Sequence, residues 1–169
     1  MVDLSEIQAV YYMVAATGVI VAAIFYILNM RATLQTRQAQ LFMPIYSKVT
    51  EKDFMKDNWE ILDEWRWTDL DDFEKKYLDD RDNRAKFMAC SDYFEGIGVL
   101  VKRKLINSEL ADDLVSSGIM RFWEKTGPVM MEWRVRHNTP QMNEHVEYLY
   151  NEVKRIVERQ HPELRAVSQ

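Results

Sequence analysis

The sequence predicts an all-α protein in which one N-terminal transmembrane helix continues into a cytoplasmic bundle of about six helices. Three observations carry that prediction. No charged residue lies between Glu6 and Arg31. Beyond Arg31, apolar residues recur at spacings of three and four, the period of a helix face. Glycine and proline are scarce, 5 and 4 in 169 residues, and no segment alternates at period two long enough to make a strand.

Charge is as unevenly spread as hydropathy. All 22 Lys and Arg lie at or after Arg31, and of the 27 acids only Asp3 and Glu6 precede it. The remainder is charge-rich and mildly acidic, which argues against a nucleic-acid partner, since such domains carry a basic excess on one face. The length allows one domain of ordinary size. The single cysteine, Cys90, can form no internal disulfide, which suits a cytoplasmic domain.

The uncharged segment Ile7–Met30 reaches roughly 36 Å as a helix, enough for a hydrocarbon core of about 30 Å with some tilt. Its Val, Ile, Leu and Phe residues each favour insertion by about 0.3–0.6 kcal/mol, with no central charge to oppose them. Tyr11, Tyr12 and Tyr26 stand where aromatic belts form at a membrane interface, and Arg31 and Arg37 follow on the exit side. A cleaved signal peptide would want a basic start, whereas this one is acidic. By the positive-inside rule the N-terminus lies outside and the C-terminal domain in the cytoplasm, which places the chain in the cell membrane as a single-pass protein. Ala15, Gly18 and Ala22 share one helix face, and small residues at this spacing let another helix approach closely.

The expected boundaries are a short extracytoplasmic N-terminus over 1–6, a transmembrane helix over 7–30, a juxtamembrane helix over 31–49, the bundle over 50–161 and a flexible tail over 162–169. Good helix formers from Arg31 to Phe42 carry the membrane helix out of the bilayer as far as Met43–Pro44. Thr50 is placed to cap a helix to about Trp65, with Phe54, Met55, Trp59, Ile61, Leu62 and Trp65 on one side. A short acidic helix starts near Asp69. From Arg84 to Lys104 two apolar stripes, one of Ala89, Tyr93, Gly96 and Leu100 and one of Phe87, Cys90, Phe94, Ile97 and Val101, predict a central helix covered on most sides. Asn107 and Ser108 offer a cap for a helix carrying Ala111, Leu114, Val115, Gly118, Ile119 and Phe122. Thr126-Gly127-Pro128 is expected to break it, with Pro128 opening another helix. Thr139-Pro140 opens the last, whose stripe is Met142, Val146, Leu149, Val153 and Ile156.

One stretch carries a resemblance: Asp92-Tyr93-Phe94-Glu95-Gly96-Ile97-Gly98-Val99-Leu100-Val101-Lys102, then Leu105-Ile106-Asn107 and Ser108-Glu109-Leu110. Phe122-Trp123-Glu124 and Trp133-Arg134 add to it. With the leading span and its Arg/Gln-rich exit, the chain resembles a domain-of-unknown-function family of prokaryotic single-pass, membrane-anchored all-helical proteins, over roughly residues 10–155. The resemblance implies the architecture and brings no activity with it.

The side chains that carry chemistry form no recognisable constellation. His137, His145 and His161 lack the Glu-x-x-His spacing of di-iron bundles and the His-Glu-x-x-His of zinc proteases, so neither a catalytic nor a metal site is expected. No glycine-rich phosphate loop is present, and no cofactor or small-molecule substrate is indicated. Cys90 has no base near it in sequence and reads as core. Residues 51–82 hold thirteen acids against six bases. Asp69, Asp71, Asp72, Asp79 and Asp80 lack the glycine and terminal Glu of a calcium loop and read as helix-start carboxylates on a solvated face, or as a docking surface for a basic partner. Lys102-Arg103-Lys104 closes a helix, where cations complement the dipole.

The functional expectation is a membrane-anchored, non-enzymatic interaction protein, an accessory subunit or scaffold whose partners are the bilayer and other membrane subunits or itself. A self-associating channel or transport component is the first alternative, but the span offers only Thr17, Asn29 and tyrosines as pore lining. An enzyme with an unrecognised site is the second.

Overall fold

A computed structural model describes residues 4–163, apart from the side chain of Glu6. The first residues of the expected outer N-terminus and most of the expected tail lie outside the described residues. The chain divides into two compact units, residues 1–40 and 41–169.

Helix α1, Leu4–Val49, runs through both. Within the first unit its side chains are exposed apart from a half-buried Gln38. The helix contains a stretch of mean hydropathy 2.1, none of it buried, and is long and apolar enough to cross a membrane. Three threonine hydroxyls are satisfied inside the helix: Thr17, Thr33 and Thr36 donate to the carbonyls of Met13, Asn29 and Ala32 at 2.8, 2.8 and 2.9 Å. That internal pairing lowers the cost of placing a hydroxyl in hydrocarbon, where no water can serve it.

The second unit begins with the last turns of α1. The helix continues past the expected stop at Met43–Pro44, because Pro44 is exposed and the residues beyond it are anchored. Phe42 is buried, and Ile45 and Val49 pack on the core. Thr50 donates back to Ser47 and Tyr46 at 2.9 and 3.2 Å, so it closes α1 instead of capping the next helix.

Helix α2, Lys52–Trp59, passes into a π-helical turn over Glu60–Glu64, and α3, Leu70–Phe73, into a second over Glu74–Leu78. A π turn adds a residue and rotates the downstream side chains by roughly 100° relative to the upstream ones. Ile61, Leu62 and Trp65 are buried, while Trp59, expected on the same side, is 54% exposed: five residues beyond buried Phe54, it stands about 140° round the helix from it. The π turn ends against Lys125, whose ammonium donates to the carbonyls of Leu62 and Trp65 at 2.6 and 2.9 Å.

Three longer helices complete the unit: α4, Arg81–Lys102, α5, Ser108–Arg136, and α6, Glu144–Gln160. Asp69, Asp80 and Asn107 cap α3, α4 and α5 through backbone N–H groups at 2.9, 2.8 and 2.8 Å. The expected break at Thr126–Pro128 does not occur. Pro128 lies on the exposed side of α5, as does Glu124, whose carbonyl loses its N–H partner to the ring. Buried Phe122, Trp123, Val129 and Met130 hold both flanking turns in one helix. Tertiary burial thereby outweighs a proline cost of about 3 kcal/mol. The start expected at Thr139-Pro140 also shifts, to Glu144, after Asn143 with its left-handed φ of 55°.

Helix α6 packs against both α4 and α5, and α2 lies on α4. Aromatic rings run through the core, Phe73 to Phe87 at 5.3 Å, Phe87 to Phe122 at 6.0 Å and Phe122 to Phe94 at 5.1 Å. Of the two stripes on α4, that of Phe87, Cys90, Phe94, Ile97 and Val101 is buried. The other is half-buried at Tyr93 and Leu100 and open at Ala89 and Gly96, so α4 is covered on most sides, with one narrow strip exposed. Of the expected α6 stripe, Val146, Leu149, Val153 and Ile156 are buried, whereas Met142 precedes the helix and is half-buried. No strand occurs among the described residues, and the all-α bundle stands.

Candidate functional site

The side chains singled out on the span are all exposed: Tyr11, Tyr12 and Tyr26 at 62–70%, with Arg31 and Arg37 beyond them. Ala15, Gly18 and Ala22 are likewise uncovered, and a Cβ added at Gly18 would meet nothing within 4 Å. This face is therefore open to whatever surrounds the helix.

The acidic residues divide by use. Asp69 and Asp80 spend a carboxylate oxygen on helix caps. Asp72 pairs with Lys76 at 2.8 Å, which holds its carboxyl below the usual aspartate range, and also accepts from the Thr68 N–H at 3.2 Å. Asp71 pairs with Arg136 of α5. Asp79 alone of the five has no side-chain partner among the described residues.

The three histidines stand apart, each beside a carboxylate: His137 with Glu74 at 2.7 Å, His145 with Glu95 at 2.8 Å and His161 with Glu163 at 3.1 Å. Among the described residues no group of three or more His, Cys, Asp or Glu is placed to hold a metal. Glu95 does more than pair. From the middle of α4 it accepts from the backbone N–H groups of His145 and Val146 at 3.0 and 2.8 Å. It thus caps α6 from another helix, satisfying donors that a helix start leaves free. Lys102 approaches the same corner, 3.9 Å from Glu144 and 3.5 Å from His145 Nε2. Burial pushes the Cys90 thiol up to about 12, consistent with a core role.

A cleft that no sequence motif announces opens between the second π turn, α4, α5 and the loop before α6. Its volume is about 480 Å³. Phe87, Met88, Met130, Trp133 and Met142 give it an apolar lining, and Glu74, Asp79, Arg84, His137 and Thr139 supply polar groups. Trp133 packs on His137 with ring centres 4.3 Å apart, and His137 holds Glu74. Arg84 spends its Nε on the Leu78 carbonyl. The Thr139 hydroxyl is buried without a partner. Separate chain segments contribute, so local spacing carries no sign of the cleft. The nearest signal is the density of methionines, soft side chains that suit adaptable surfaces.

The fold defines a class: an all-helical protein in which a bundle follows a helix long and apolar enough to cross a membrane. A family model described as "Domain of unknown function (DUF4760)" matches residues 12–153, and the chain belongs to that family. No curated protein and no solved structure matches it.

Proposed function

We propose that this protein is a membrane-anchored, non-enzymatic interaction module, an accessory subunit or scaffold of a larger membrane assembly. One observation carries the reading. The apolar residues of α1 between 7 and 30 have no cover in their own chain. Such a surface is stable only against lipid or other apolar helices. The basic residues that follow the span orient the N-terminus outward and the bundle into the cytoplasm.

In this reading Ala15, Gly18 and Ala22 meet a neighbouring helix in the bilayer, and the surface around Asp69, Asp71, Asp72, Asp79 and Asp80 meets a cytoplasmic partner. Purification from the native membrane in mild detergent tests it. A stoichiometric complex with other subunits, weakened by Gly18→Ile at equal expression, is the expected result. A chain that purifies alone, or whose complex is indifferent to Gly18→Ile, argues against that packing face and that role. Crowding at a close helix contact costs roughly 1–3 kcal/mol, enough to reduce complex recovery visibly.

A further inference from the structure

The cleft holds charged groups of both signs that form no ion pair within the bundle. Among the described residues neither Asp79 nor Arg84 forms an ion pair, although both line the same cavity and could neutralise each other at shorter range. Arg84 is held by its Nε on the Leu78 carbonyl, which leaves its two terminal nitrogens unspent. Asp79 follows the π turn at its C-terminal end, its backbone N–H fixed on the Glu74 carbonyl at 2.8 Å. The remaining imidazole and carboxylate of the lining are committed to each other, His137 to Glu74 at 2.7 Å. One neutral donor-acceptor, the Thr139 hydroxyl, is buried and unpaired. A buried hydroxyl left without a partner costs free energy that a ligand atom can recover.

Beneath these groups the lining is apolar and soft. Met130 is fully buried, Phe87 is 1% exposed, and Met88 and Met142 are half-buried. Thioethers adapt to aromatic and branched aliphatic shapes alike. A cavity of about 480 Å³ lies within the range of small-molecule sites, about 300–1,000 Å³ with a few convergent polar groups.

From this juxtaposition we infer that the cleft binds a small zwitterion with an apolar body, of the class of the hydrophobic α-amino acids. The ammonium would meet the Asp79 carboxylate, the carboxylate would meet the terminal nitrogens of Arg84, and the side chain would lie on Met130, Met88 and Phe87. An exposed acid and a guanidinium that line one cleft without pairing match a ligand carrying both charged groups on one carbon. An amine alone leaves Arg84 unanswered, and an acid alone is repelled by Asp79. This inference goes beyond the anchored-module reading and does not depend on it.

Isothermal titration of the full chain in neutral detergent micelles tests it. The probes are L-phenylalanine, L-leucine, glycine, 2-phenylethylamine and 3-phenylpropionate. The inference expects saturable binding of L-phenylalanine or L-leucine and none of glycine. Phenylethylamine and phenylpropionate should each bind at least about tenfold more weakly than phenylalanine, a factor worth about 1.4 kcal/mol. Asp79→Asn should weaken phenylalanine by a similar factor and leave phenylpropionate unharmed or improved. Arg84→Gln should do the converse for phenylethylamine. Because Arg84 also holds the Leu78 carbonyl, helix melting by circular dichroism accompanies that variant, and should it not fold, Asp79→Asn with phenylpropionate decides alone. Absence of saturable binding for both amino acids at millimolar concentration overturns the inference. So does equal binding of phenylalanine and its two truncated analogues, unchanged by Asp79→Asn.

Discussion

Gly98 of α4 and His145 of α6 meet backbone to backbone: a Cβ at Gly98 would stand 2.1 Å from the His145 carbonyl oxygen. Only the absence of a side chain lets the start of α6 seat there, where Glu95 caps it. Gly98→Ala should therefore cost at least about 1–3 kcal/mol by forcing the two helices apart. Gly96, two residues earlier, has nothing within 4 Å of its virtual Cβ. Gly96→Ala should instead be neutral or stabilising by roughly 0.5–1 kcal/mol through helix propensity. Urea melts of both variants check the pair, and equal effects of the two would contradict the close approach.

Glu60 and Lys86 tie the first π turn to α4 through contacts of 2.7 and 2.8 Å. The Lys86 hydrogen bonds hold the Glu60 carboxyl below its usual range, and Glu60 raises the Lys86 ammonium above its own. A depressed acid contributes stability that is full above its unfolded value of about 4.3 and fades as pH falls through the folded value. The raised lysine contributes fully below about 10.4 and loses its part only at higher pH. Glu60→Gln should lower stability by about 1–2 kcal/mol at neutral pH. Its deficit should shrink as the pH drops below about 4.3. Melting temperatures of both proteins from neutral pH down into the acid range read this out, and a constant gap would refute the pairing.

Cys90 is wholly buried, and burial lifts its thiol to about 12. With no thiolate at neutral pH and no path for reagent, the native chain should resist alkylation by iodoacetamide. Labelling should appear together with global unfolding in denaturant, which makes this single cysteine a reporter of bundle stability. Rapid labelling under native conditions would contradict the core position.

The last turns of α1 belong to the bundle's core. The Tyr93 hydroxyl donates to the Ile45 carbonyl at 3.2 Å, and its ring lies 4.7 Å from that of Phe54. A fragment starting near Thr50 keeps every amphipathic stripe yet loses Phe42, Ile45, Val49 and this hydrogen bond. A fragment starting at Leu41 should melt cooperatively and be more stable by roughly 3–6 kcal/mol, the sum of one buried aromatic side chain, two partly buried aliphatic ones and one hydrogen bond. Equal stability of the two fragments would show that the exit helix contributes nothing to the core.

Local features were legible in the sequence. The long apolar helix, the caps at Asp69 and Asn107 and the α6 stripe from Val146 to Ile156 need only neighbouring residues, and each is present. The departures have non-local causes. Pro128 reads as a break until the burial of Val129 and Met130 is known. Trp59 reads as core until buried Phe54, about 140° away round α2, is seen to set the inner face. The cap from Glu95 reaches α6 from α4, and the cleft draws Asp79, Arg84 and Thr139 from segments whose proximity depends on the whole bundle.

Anchorage of the chain by α1 underlies the proposed role, and carbonate extraction of membranes from cells expressing the full-length chain tests it directly. An integral helix withstands alkaline extraction, whereas a peripheral contact does not. The uncleaved chain should remain in the membrane pellet, and replacing Val14 and Ile20 by Asp should release it, since each buried acid costs about 2.5–3.5 kcal/mol at a helix centre. Recovery of the uncleaved wild-type chain in the soluble fraction would contradict the anchor and the function built on it.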